Sequence, residues 1–271
     1  MPPTSPPRSL ADSIQSAAHD NQCDELQQLL DQWESPDLEP LQPALCAALR
    51  QGHVDAANLL LRRGCQCYFA ATEAALAGGH MPIFECMLQH GWDINFSLDH
   101  RGDALICALL FKGTPDLARW LLAHGADPNW NPRSHPVVSS ALEAACSRPS
   151  TPPEMVSLLL RRGAVGPAAM LVAAWSGSVE ALRVLLDEAG ELFDIDGIPA
   201  AENPDWERDE DWGTPLHAAA SKGEMPCITL LLERGARRNV RNASGRTPRQ
   251  TAEHFGHLAC AEALKEAEAP I

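Results

Sequence analysis

Pairs of leucines followed closely by a glycine recur along the chain. Leu60-Leu61-Arg62-Arg63-Gly64, Leu121-Leu122-Ala123-His124-Gly125, Leu159-Leu160-Arg161-Arg162-Gly163 and Leu231-Leu232-Glu233-Arg234-Gly235 share one form. Met87-Leu88-Gln89-His90-Gly91 is a variant, and the stretch from Leu185 to Gly190 is one residue longer. A second glycine precedes the closing one at a constant interval, in the pairs Gly52/Gly64, Gly79/Gly91, Gly113/Gly125 and Gly223/Gly235. Glycine supplies the positive φ on which many helices end. The pattern therefore predicts a short helix, a tight turn, a leucine-rich helix and a second turn, repeated. Units of this kind start near Leu10, Gln42, Ala70, Asp103, Ser140, Ala168, Thr214 and Thr247. In the fifth, the insertion Pro149 to Pro153 replaces the first glycine.

The seventh unit carries the fullest phrase, Thr214-Pro215-Leu216-His217-Ala218-Ala219, and Thr247-Pro248 begins it again one period later. Proline suits the first helical position, and the threonine hydroxyl can cap that turn. Thr-Pro-Leu-His-x-Ala at the spacing from Thr214 to Thr247 resembles the ankyrin repeat, as does Gly125-Ala126-Asp127-Pro128-Asn129 as a turn entry. Thr214, Pro215, Leu216 and His217 are structural on that resemblance, with the threonine bonding the histidine. The resemblance implies an all-α ankyrin-repeat solenoid of about eight helix-turn-helix repeats with short hairpin turns. One domain from residue 10 to 271 is expected, behind a disordered Pro-rich tail over residues 1–9.

Composition agrees with thin stacked helices. Apolar residues make up 45 % of the 271 residues but aromatic ones only 5 %, so alanine and leucine must supply the packing. A net charge of −15 argues against a nucleic-acid binder, which needs a basic footprint. No apolar run approaches the roughly 18 residues of a membrane span. Nine cysteines, an odd number lying mostly in helical phrases, read as free thiols in a cytoplasmic or nuclear setting.

The 10 histidines are largely absorbed by the repeat. His217 belongs to the motif, while His53, His80 and His257 follow mid-repeat glycines. His90 and His124 precede closing glycines, where a cation suits a helix C-terminus. His254-x-x-His257 is interrupted by Gly256. No catalytic residue, metal ligand or cofactor site is assigned, since nucleophile elbows, phosphate loops and metalloprotease helices are missing.

Ankyrin proteins bind partners in a groove formed by their first helices and at their turn tips, which implies a site. Groove positions are Arg50, Gln51, Phe111, Lys112, Arg148, Trp175, Ser176, Ser221, Lys222, His254 and Phe255. Tip contacts are expected at Trp92, Phe96, Asp99, Trp130 and Arg133. Residues 191–212 break the repeat with nine acidic residues against one arginine, plus Trp206 and Trp212. This acidic insertion is expected to lie over the basic groove as a lid anchored by those tryptophans. The function expected is a non-catalytic, monomeric scaffold holding another protein, with an acidic segment of that partner suiting the basic groove. An enzyme or small-molecule binder using a pocket between groove and insertion is the alternative.

Overall fold

The computed structural model describes residues 9–95, 104–130, 140–199 and 213–265, and Phe111 through its backbone alone. The regular elements of these residues are helical, and the chain divides into two compact units, Met1–Ile94 and Asn95–Ile271. The first unit holds α1 (Leu10–His19), α2 (Cys23–Asp31), a 3-10 turn at Glu39–Leu41, α3 (Gln42–Gln51), α4 (Val54–Arg63), α5 (Phe69–Gly78) and α6 (Met81–Gln89). The second holds α7 (Leu105–Lys112), α8 (Pro115–Ala123), α9 (Ala141–Cys146), α10 (Pro153–Arg161), α11 (Ala169–Trp175) and α12 (Val179–Glu188). It continues with α13 (Pro215–Lys222), α14 (Met225–Glu233), α15 (Pro248–His254) and α16 (Leu258–Ala263).

Helix α4 shows why the leucine-rich phrases fold as they do. Ala56, Ala57, Leu60 and Leu61 are buried while Asp55, Arg62 and Arg63 are exposed. That spacing gives one apolar stripe, useful only against a neighbouring helix pair. The evenly spaced glycine pairs all have positive φ, between 69° and 110°. At Gly52 and Gly223 a second constraint applies. A Cβ there would stand 2.7 Å from the His80 ring and 2.6 Å from the His257 ring, respectively.

His257 and its counterpart His53 belong to a link between neighbouring pairs. His53 donates from Nε2 to the His19 carbonyl at 3.0 Å, and His257 donates from Nε2 to the Ser221 carbonyl at 3.1 Å. Each ties the start of a second helix to the end of the preceding pair's first helix. First helices themselves approach through alanine and glycine. A Cβ on Gly78 would lie 2.3 Å from the carbonyl oxygen of Arg50.

Capping boxes start several first helices: Ser9 with Asp12, Ser140 with Glu143, Thr214 with His217, and Thr247 with Gln250. Ser9, expected in the tail, is instead the N-cap of α1, accepting a bond from the Asp12 amide at 3.1 Å. Residues 1–8 lie outside the described residues.

All nine cysteines are free thiols, six of them buried. Burial pushes Cys65 up to about 11 and Cys67 up to about 12, the latter also raised by neighbouring thiols. Cys227 is likewise pushed up by burial to about 12, and Cys146 is raised for the same reason. Thiolate is the reacting form, so a raised value leaves little of it at pH 8. Native protein should therefore alkylate slowly at that pH, while all nine thiols react after denaturation without reductant. Mass spectrometry of the labelled chain checks this; a mass two labels short would reveal a disulfide. No described helix is long and apolar enough to cross a membrane.

Candidate functional site

A buried polar network fixes the helix that carries Ser221 and Lys222, two of the expected groove residues. Thr214 and His217 are fully buried at the start of α13. The Thr214 amide donates to His217 Nδ1 at 3.2 Å, and the hydroxyl lies 2.9 Å from the same nitrogen. With Nδ1 accepting, the proton sits on Nε2, which donates to the Arg246 carbonyl at 3.0 Å. His217 thereby joins its own helix to the turn before α15. Pro215 and Leu216 are buried beside it.

Glu143 holds the same place in α9. Its Oε2 accepts from the Ser140 amide at 3.0 Å and its Oε1 from the Ala168 amide at 3.1 Å. The direction of the onward bond is reversed, because a carboxylate accepts where the imidazole donates. Only the capping-box spacing, Ser-x-x-Glu, signals this in the sequence.

On the scaffold so fixed, Trp175 ends α11 with 49 % of its surface exposed. Lys222 ends α13, and its Nζ stands 4.4 Å from the centre of the Trp175 ring. A cation over an indole face at that distance is attractive and keeps the ring presented to solvent. Next to Trp175, Ser176 is half-buried; Ser221, also half-buried, turns its hydroxyl back to the Ala218 carbonyl at 2.9 Å. At α15, His254 and Phe255 are exposed and meet edge to face with centroids 5.1 Å apart.

Toward the N-terminal side of this unit, Lys112 is exposed at the end of α7. The half-buried Arg148 lies beside Gly113, where an added Cβ would stand 3.1 Å from its guanidinium. The side chain of Phe111 lies outside the described residues. In the first unit Arg50 and Gln51 are exposed at the end of α3, and Gln51 Nε2 is 3.4 Å from His19 Nε2.

The tip residues behave differently. Trp92, expected as an exposed contact, is only 6 % exposed. Its indole donates to Thr72 Oγ1 at 3.1 Å and its ring lies 6.0 Å from that of Phe84. A ring this large with a satisfied N–H gains more from the core than from the turn surface. Trp130 is half-buried, in a turn where its amide donates to the Asp127 carbonyl at 3.2 Å. Phe96, Asp99, Arg133, Trp206 and Trp212 lie outside the described residues.

The described start of the acidic segment, residues 191–199, forms a turn. Asp194 accepts at Oδ1 from the Asp196 amide at 2.9 Å. Asp196 in turn accepts from the Arg237 amide at 2.8 Å and from Arg237 Nε at 2.7 Å. The hydrogen bond and charge of Asp196 raise the Arg237 guanidinium further into its protonated range. Between this turn and the one before α11 lies a cavity of about 550 Å³. Val165, Met170, Leu171, Phe193, Ile198 and Pro199 are among its mainly apolar lining.

Sequence reasoning passed over both the cavity and the arginines beside it. The visible signal was charge: residues 234–249 hold six arginines and no acid in a chain of net −15. Among the described residues no group of three or more His, Cys, Asp or Glu is placed to hold a metal ion.

Comparison with known proteins agrees with the repeat geometry. A family profile described as ankyrin repeats (3 copies) matches residues 198–271. Espin-like protein of Homo sapiens is 39 % identical over 64 residues, covering 24 % of this chain and 6 % of that protein. Ankyrin repeat and KH domain-containing protein 1 of Homo sapiens is 36 % identical over 117 residues, 41 % of this chain and 4 % of the relative. "Probable E3 ubiquitin-protein ligase XBOS33" of Oryza sativa subsp. japonica is 52 % identical over 44 residues, 16 % of this chain and 8 % of its own length. The chain thus spans less than a tenth of each of these relatives. Residues 198–271 are thus matched as ankyrin repeats, and the Thr214–His217 network lies within that matched stretch.

Proposed function

We propose that this chain is a non-catalytic interaction scaffold of about eight repeats, working in the cytosol or nucleus, that holds another protein on the ends of its first helices. Ankyrin repeats generally mediate protein–protein interaction. The observation that carries the reading is the Trp175–Lys222 pair. A half-exposed indole under a lysine, 4.4 Å from its ring, has the aromatic and cationic character of an interface anchor. Lys112 and Arg148 add positive charge in the same unit, which suits an acidic partner segment.

The partner is captured by crosslinking and its affinity measured for the parent and for Trp175→Ala. The variant should lose about 2 kcal/mol of binding, the scale of a hot spot, with the melting temperature nearly unchanged. Equal affinity would remove Trp175 from the interface. A second reading, a small-molecule binder, is favoured by the apolar cavity at Val165 and Ile198. A metabolite that co-purifies in stoichiometric amount and protects that cavity from exchange would decide for it.

A further inference from the structure

The cavity beside α11 and the arginine turn before α15 meet at Asp196. Asp194 and Gly197 line the cavity, and Asp196 between them holds both the amide and the side chain of Arg237. Asp196 therefore ties the rim of the cavity to the arginine turn. Val165 is 63 % exposed and Ile198 46 % exposed at the cavity mouth, while Met170 and Leu171 are buried behind them.

The arginine turn is held in a fixed shape. Asn242 Oδ1 accepts from the Arg246 amide at 2.9 Å, and the Asn242 amide donates to the Arg246 carbonyl at 2.9 Å. Gly245 closes the turn with φ 76°. His217 donates to that same Arg246 carbonyl, so the turn is anchored to the repeat core. On this frame Arg241 is exposed and donates to the Gly245 carbonyl at 2.6 Å. Arg238 is half-buried, and its enclosed Nε has no hydrogen-bond partner among the described residues. A guanidinium carries a fork of N–H donors that matches a carboxylate, and Arg238 and Arg241 place two such forks on one turn.

We propose that the apolar cavity and the turn at Arg237, Arg238 and Arg241 form one recognition site for an extended acidic segment of a partner protein. An aliphatic side chain of the partner enters the cavity between Val165 and Ile198. The carboxylates next to it in sequence run along the turn to Arg238 and Arg241. The inference rests on the scaffold reading but uses a surface separate from the Trp175 row. A partner protein fits better than a polynucleotide for two reasons. The cavity asks for an aliphatic group, and a chain of net −15 repels a long polyanion beyond the immediate patch.

The test is fluorescence anisotropy with a labelled synthetic peptide in which a leucine pair is followed by a run of glutamates. The full chain should bind it, and Arg238→Glu combined with Arg241→Glu should weaken binding at least about tenfold. Val165→Asp should do the same by making the cavity mouth polar. All these side chains are exposed or half-buried, and thermal melts verify that each variant folds. The site is overturned if the peptide does not bind or if these variants bind it normally. It is also overturned if a serine-for-glutamate peptide, or a single-stranded oligonucleotide, binds as well. If Trp175→Ala still abolishes capture of the partner in that event, the scaffold reading survives and only this site falls.

Discussion

Replacing His217 with alanine should cost about 3 kcal/mol of stability, read as a lower urea midpoint for the second unit. The imidazole is fully buried and serves three groups: the Thr214 amide, the Thr214 hydroxyl and the Arg246 carbonyl. Alanine would leave a buried amide unpaired and a cavity of nearly a whole ring. Arg246 keeps the Asn242 amide as a second donor, so the turn itself should loosen rather than collapse. Glutamine should recover part of the loss, because Gln250 fills the corresponding place in α15 and accepts from the Thr247 amide at 2.9 Å. An alanine variant as stable as the parent would show that this network adds nothing to the fold.

Gly78→Ala should be comparably damaging in the first unit. The added methyl would stand 2.3 Å from the Arg50 carbonyl oxygen, 2.9 Å from its carbonyl carbon and 3.1 Å from its Cα. Side chains can step aside from such a contact, but a backbone in a helix cannot. Relief requires α3 and α5 to move apart, and overpacking of this kind costs up to about 3 kcal/mol. The control is Gly79→Ala. An added Cβ there meets nothing within 4 Å, so only its φ of 69° is strained. Urea unfolding of both variants separates crowding from backbone strain. If Gly79→Ala is the more harmful of the two, the close approach of α3 and α5 is not limiting.

The parts of the fold legible in the sequence are those that depend on one residue type at a fixed spacing. The regularly spaced glycines mark helix ends because almost nothing else tolerates their φ, and leucine pairs mark buried faces. The Thr-Pro-Leu-His phrase was legible for the same reason, and so was the exposure of Trp175 at the end of its helix. Glu143 was hidden because carboxylates are ordinarily solvated, and nothing in Ser-Ala-Leu-Glu announces that its oxygens accept from two backbone amides. Trp92 misled by its position directly after the closing Gly91, in a turn; its fate was decided by Thr72 in α5. The cavity at Val165 and Ile198 was illegible because two turns build it, and neither contains a groove alone.

Helix α13 is tethered at both ends to the repeat that follows it. His217 near its start donates forward to Arg246, and Ser221 near its end accepts from His257. These anchor residues are four apart, roughly 6 Å of helical rise. A single tether is a pivot, about which the last repeat could swivel while staying attached. Two tethers at separate heights remove that freedom. Load applied at the C-terminal end must then break both together, so the terminal repeat should let go abruptly rather than by gradual peeling.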